Sequence, residues 1–190
     1  MPLSVRWSAL LLLFLVAQSG AAVAPDARVA HAPVTTFTYT DAATLLRLAV
    51  PTGWRVQAET LNGTRQLRVV PPKADQRERA AIDVTITVRR LARRESLERM
   101  ARRMRTPDDD REAALLLKLN EKAGRLTVEY REGHYVSSSL WIVRQTLLVV
   151  QQTDKSHVVE ARCAANASEY RTYRRFLETL CNSIGKARHS

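Results

Sequence analysis

The chain has 190 residues, with 30 Lys+Arg against 19 Asp+Glu and a formal net charge of +11 at pH 7. That length fits one domain that buries its own core and excludes a mini-protein dependent on several crosslinks. With only 6 glycines, none of them in a glycine-rich phosphate loop, the chain lacks a nucleotide-binding signature.

Arg6 and the amino terminus precede an apolar stretch from Leu10 to Ala17, followed by the small residues Ser19-Gly20-Ala21 and Ala22-Val23-Ala24. This is the pattern of a signal peptide over residues 1–24, with Pro25 making the second cleavage site the poorer of the two. A membrane anchor is the alternative, but the stretch is shorter than the ~20 residues of a spanning helix, and no cysteine stands nearby to accept lipid. The reading is therefore export to the periplasm as a soluble protein, with residues 25–35 a flexible leader and residues 36–186 one α+β domain.

Phe37-Thr38-Tyr39 and Leu46 to Val50 read as strands, Pro51-Thr52-Gly53 as a turn, and Trp54-Arg55-Val56 and Leu67-Arg68-Val69 as further strands. Pro71-Pro72 ends the series, and Lys73 to Arg79 is a charged loop. Ile82 to Val88 alternates with period two and is the clearest strand. Leu97, Met100, Ala101 and Met104 then repeat at helical spacing behind a Ser96 cap, and Thr106-Pro107 stops the helix. Asp108-Asp109-Asp110 after that proline has the form of a second helix start, which predicts helix over 108–118, with a strand beginning at Leu115-Leu116-Leu117 as the alternative.

Strands resume over 126–130, 135–143, 146–151 and 157–163, with turns near Gly133 and at Thr153-Asp154-Lys155-Ser156. The apolar runs Leu140 to Val143 and Leu147 to Val150 predict a sheet covered on both faces. Asn166 and Glu169 have capping-box spacing, and Tyr170, Tyr173, Phe176, Leu177, Leu180 and Ile184 form the stripe of a closing helix. The result is an antiparallel sheet covered by helices, with Val84, Ile86, Val88, Trp141, Val149, Leu177 and Leu180 in the core.

Cys163 and Cys181 are the only cysteines. An oxidising compartment favours pairing them. A straight helix capped at Asn166 would carry Cys181 about 22 Å along its axis, whereas Cys163 lies only about 10 Å up the incoming strand. A bridge needs a helix that starts later or crosses obliquely; two buried free thiols are the alternative.

The exported leader, the Val50-Pro51-Thr52-Gly53-Trp54 turn, the alternating strand followed by a helix near Ser96-Leu97, and the closing segment from Phe176 to Ile184 resemble the DcrB and PsbP-like superfamily over most of residues 36–185. The resemblance implies an α/β/α sandwich and a non-enzymatic role. Members include bacterial envelope proteins, photosystem subunits and chaperones of type VI secretion effectors, with no shared catalytic motif to carry over.

No catalytic, metal or cofactor site is legible. His31, His134, His157 and His189 lie at no metal-ligand spacing. Ser137-Ser138-Ser139 lacks a nucleophile elbow, and Asp108-Asp109-Asp110 lacks the interleaving of a calcium loop. The one surface feature with a binding mechanism is the run Arg89, Arg90, Arg93, Arg94, Arg99, Arg102, Arg103 and Arg105, broken by Glu95 and Glu98. Arg99, Arg102, Arg103 and Arg105 fall largely off the apolar stripe and form the candidate contact for an anionic partner, although an arginine-rich proteome yields such a solvated face without a partner.

These observations describe an exported binding or adaptor protein of the envelope, not an enzyme, with a protein partner such as a secreted toxin or effector. An immunity protein that neutralises a periplasm-targeted toxin is the specific form. Contact with anionic lipid or lipopolysaccharide, an envelope-stress role, and a hydrolase with an unrecognised site are the alternatives; export argues against nucleic acid. N-terminal sequencing of the periplasmic fraction should give a mature chain starting between Ala22 and Pro25, and an intact chain confined to the inner membrane would contradict export.

Overall fold

The computed structural model describes residues 33–72, 81–137 and 140–186. The signal segment, most of the leader, the charged loop over 73–79, Ser138, Ser139, His31 and His189 lie outside them. In chain order the elements are β1 (Thr36–Thr40), β2 (Leu46–Pro51), β3 (Arg55–Leu61), β4 (Thr64–Val70), β5 (Ile82–Arg90), α1 (Leu97–Met104), β6 (Leu116–Asn120), β7 (Arg125–Ser137), β8 (Leu140–Gln152), β9 (His157–Asn166), α2 (Tyr170–Asn182) and β10 (Gly185–Lys186). A seven-stranded sheet has the order β3-β4-β5-β9-β8-β7-β6, and a three-stranded sheet has the order β1-β2-β10. Every pairing is antiparallel.

Local chemistry explains the tight connections. The Trp54 N–H donates to Pro51 O across a turn whose third residue, Gly53, has φ +87°, a backbone angle that glycine adopts at no steric cost. β3 and β4 are joined by Asn62-Gly63, both with positive φ, the residue pair that suits a two-residue hairpin. Before β2, Asp41 is almost wholly buried and accepts hydrogen bonds from Arg65 and Thr44. Burial alone would raise the Asp41 pKa, but Arg65 and Thr44 together hold it below the usual carboxylate value.

Alternation along the central strands sends side chains into two cores. Val84 and Ile86 of β5, Leu147 and Val149 of β8, and Val159, Ala161 and Cys163 of β9 join Leu177 and Leu180 of α2 and Leu46, Leu48 and Val50 of β2 in the larger cluster. On the opposite face Leu126, Val128 and Tyr130 of β7, Val150 and Val158 meet Leu97, Met100 and Ala101 of α1. The Leu147 to Val150 run is thus covered on both sides. Among the described residues no helix is long and apolar enough to cross a membrane.

Five expectations need correction. Residues 108–118 are not helical: Asp108 and Arg111 form a bridge, the Glu112 and Leu115 N–H groups donate to Arg131 O and Glu129 O, and β6 begins at Leu116. The open edge of β7 supplies those partners and overrides the local helical preference. Gly133 is not a turn but lies within β7, opposite Val143. Asn166 does not cap α2, because it remains in β9 opposite Arg144, and the N-cap position falls to Glu169, which makes no side-chain cap bond. Trp141 is 44% exposed, because the β8–β9 ladder ends at Arg144 opposite Asn166 and the first residues of β8 lie beyond it. Val88 is only partly buried against the larger core.

The later start of α2 resolves the cysteine geometry. Cys163 and Cys181 form a disulfide with Cα atoms 6.3 Å apart, a separation that fits the bond and staples α2 to the central strand. Closing a loop of this size contributes about 3 kcal/mol on the chain-entropy model. Leu180 is fully buried between α2 and the sheet, so Leu180→Ala should cost about 2–5 kcal/mol in denaturant unfolding; a loss under about 1 kcal/mol would contradict this packing.

Candidate functional site

The arginine run forms a ridge from the end of β5 through α1. Ser96 accepts the Arg99 N–H at 3.3 Å and starts the helix. Glu95 gathers two of the arginines, Arg89 at 2.9 Å and Arg103 at 3.0 Å, while the Arg89 Nε also reaches Glu160 at 3.0 Å. Hydrogen bonding from Arg89, seconded by Arg103, holds the Glu95 carboxyl below its usual pKa against the opposing effect of burial. Arg99 donates to Arg94 O at 2.6 Å. The Arg111 guanidinium closes the C-terminal end of α1 through Arg103 O and Thr106 O and lies 5.8 Å from the Tyr130 ring centroid.

The four candidate arginines therefore differ in circumstance. All four are exposed, but Arg103 is also ion-paired within the fold and Arg99 is tethered to a backbone carbonyl. Arg102 and Arg103 also occupy the last turn of α1, where positive charge complements the helix dipole. Part of the ridge thus has a folding role, and its outward charge is carried by Arg102 and Arg105 together with the exposed Arg90, Arg93 and Arg94.

A second surface escaped the sequence reading. β9 ends opposite Arg144, and beyond that point β7 and β8 continue as a two-stranded arm in which Gly133 faces Val143 and Tyr135 faces Trp141. Tyr135 is 65%, Leu140 53%, Trp141 44% and Val143 41% exposed. The Tyr135 and Trp141 rings meet edge to face at 4.8 Å, and the indole lies over Gly133, where any Cβ would overlap it. A cleft of about 280 Å³ separates this arm from the loop over 107–112 and is lined by Asp108, Asp110, Arg111, Glu132, Gly133 and Trp141 among others. The Gly133 N–H donates to Asp110 O at 2.8 Å and holds the loop to the arm. In the sequence, the exposure of an aromatic within an apolar strand could have been found only by knowing where β9 stops.

Charged side chains brace the base of the arm. Arg162 of β9 pairs with Asp83 of β5 at 2.6 Å and with Glu132 of β7, Arg144 of β8 approaches Asp83 at 3.7 Å, and the buried Thr146 hydroxyl donates to Glu132 at 2.6 Å. Burial opposes the charge on Arg162, but Glu132 and Asp83 raise its pKa further still.

The remaining sequence candidates are dispersed. The exposed His157 contacts Asp154 at 3.1 Å, Asp108-Asp109-Asp110 is an exposed loop, and Ser137 ends β7. Both cysteines are consumed by the disulfide. Among the described residues no group of three or more His, Cys, Asp or Glu side chains could hold a metal ion. What the two surfaces can do is hold another molecule, the arm through aromatic area and the ridge through charge.

No family model matches the chain, and the curated proteins give no match. Solved structures do. Ran-binding protein Mog1p of Saccharomyces cerevisiae superposes with a TM-score of 0.53 at 9% identity, covering 80% of this chain and 95% of that one. Cyanobacterial PsbP (CyanoP) from Synechocystis gives 0.48 at 15% identity, covering 87% and 99%. LpqN, involved in cell envelope biogenesis of Mycobacterium tuberculosis, gives 0.49 at 10% identity, covering 80% and 90%. The chain has a Mog1-like fold.

The contact between Gly133 and Trp141 can be tested directly. Gly133→Ala should destabilise the protein by about 1–3 kcal/mol through overpacking, and should become nearly neutral in a Trp141→Ala background. An equal loss in both backgrounds would show that the added methyl meets something other than the indole.

Proposed function

We propose that the protein is an exported, non-enzymatic binding protein of the bacterial cell envelope, and that its partner is a protein. The observation that carries this reading is the arm: Tyr135, Leu140, Trp141 and Val143 stay exposed at the end of a strand pair braced by ion pairs. Contiguous exposed apolar side chains on a folded protein mark interaction surfaces, and tryptophan and tyrosine dominate the energetic centres of protein interfaces. The ridge of Arg99, Arg102, Arg103 and Arg105 adds a positive field that speeds encounter with an acidic partner.

The fold supports a protein partner, since a Ran-binding protein is built on it. The signal-like leader supports the envelope location. The specific form is an immunity protein that neutralises a toxin delivered to the periplasm, with the arm entering the toxin and the ridge orienting it. A lipid-contact role is the second reading, favoured by the outward charge of Arg102 and Arg105.

A photo-crosslinking residue in place of Tyr135, used in cells and read by mass spectrometry, should capture a protein; lipid adducts alone would favour the second reading. With that protein purified, Trp141→Ala should weaken binding at least about 30-fold, the scale of a hot-spot residue. Replacing Arg99, Arg102, Arg103 and Arg105 by Gln should flatten the salt dependence of the association rate. Unchanged affinity in the Trp141 variant would overturn the role of the arm.

A further inference from the structure

The sheet carries an opening on the side away from the arm. The β4–β5 ladder runs only from Arg65 opposite Val88 to Arg68 opposite Thr85. β3 nevertheless stays paired with β4 as far as Arg55 opposite Val70, and β5 with β9 as far as Ile82 opposite Ala165. The β3–β4 hairpin therefore splays from β5 at this end, where Pro71 has no N–H to continue the ladder. A cavity of about 180 Å³ occupies the split, with Val69, Val70 and Pro71 on one wall, Ile82 and Val84 on the other, and Arg55, Gln57 and Arg68 as its polar lining.

The two arginines are close neighbours of like charge. Gln57 faces Arg68 and Arg55 faces Val70, which puts Arg55 and Arg68 in diagonal positions on one face, about 7–8 Å apart at the backbone. Arg65, Arg89, Arg162 and Arg174 are each ion-paired, whereas Arg55 and Arg68 are exposed and no carboxylate engages either among the described residues. Two exposed guanidinium groups and an amide lining one small cavity make a receptor for a delocalised negative charge, because each guanidinium offers paired donors to oxygen.

We propose that the split between β4 and β5 is a binding site for an oxyanion, a carboxylate or a phosphate, held by Arg55 and Arg68 with Gln57 donating from beside them. The cavity is smaller than the ~300 Å³ at which pockets for drug-sized ligands begin, so it takes the charged end of a ligand and leaves the remainder outside. None of its lining residues belongs to the arm or to the ridge on α1.

The test is a titration of the protein, labelled with nitrogen-15 at arginine and followed by the Nε–H signals, at physiological ionic strength. Inorganic phosphate and N-acetyl-glycylglycine serve as separate probes, with the C-terminal amide of the peptide as control. The Arg55 and Arg68 signals should move saturably with phosphate, with the peptide acid, or with both, and the responding probe identifies the source of the charge; the amide should leave them unmoved. Arg68→Gln, and separately Arg55→Gln, should weaken binding at least about tenfold with no loss of melting temperature, since both side chains are exposed. Shifts at Arg55 and Arg68 that are no more saturable than those of Arg102 and Arg105, or that the amide reproduces, would overturn the proposal.

Discussion

A helix of eight residues cannot cover a seven-stranded sheet. α1 is about 12 Å long and about 10 Å wide, while seven strands span about 29 Å. The other face has no such shortage, because α2 and the three-stranded sheet lie over it together and the larger core forms there. On the α1 side, the strands beyond reach of the helix must present polar groups, and charges at the border need partners on neighbouring strands. Asp83, Arg162 and Glu132 meet that need by linking β5, β9 and β7. Removing one member of such a set leaves its partner's charge uncompensated in a partly desolvated place, which costs more than the intact set contributes.

The same shortage of cover explains where the arginine excess resides. Some arginines hold the architecture together: Arg65 secures the turn before β2, Arg89 joins β5 to β9 and to the entry of α1, and Arg111 closes the end of that helix. Others, among them Arg90, Arg93, Arg94 and Arg105, stand outward around α1. The arm is the apolar counterpart of that surface, so the two chemistries a protein interface combines, aromatic area and complementary charge, are both present.

What the sequence made legible was whatever depends on near neighbours along the chain. The alternation from Ile82 to Val88, the Ser96 cap and the Leu177 and Leu180 stripe each carry their own period, and each is found as expected. The misreadings share a different cause. Trp141, Gly133, Asn166 and the segment after Pro107 are all decided by where a strand distant in sequence begins or ends, information that no local window contains. The disulfide stayed open for the same reason, since its geometry turns on the first residue of α2. Asn62-Gly63 is the exception: it is a local hairpin signal, and it joins β3 to β4. Of the candidate surfaces, the ridge was visible as composition, but its internal division between paired and outward arginines was not.

The strand order also governs when the protein can become itself. β5 sits beside β9, with α1 and three strands intervening in the chain, and β2 receives its second neighbour only from β10 near the described C-terminal end. Hairpins such as β3–β4 and β7–β8 close within microseconds, but the middle of the large sheet waits for a partner made long afterwards, and pairings so distant in sequence form slowly. Synthesis therefore runs well ahead of assembly. Until β9 is made, β5 and β8 each lack one neighbour, so the middle of the large sheet is the last part of it able to close.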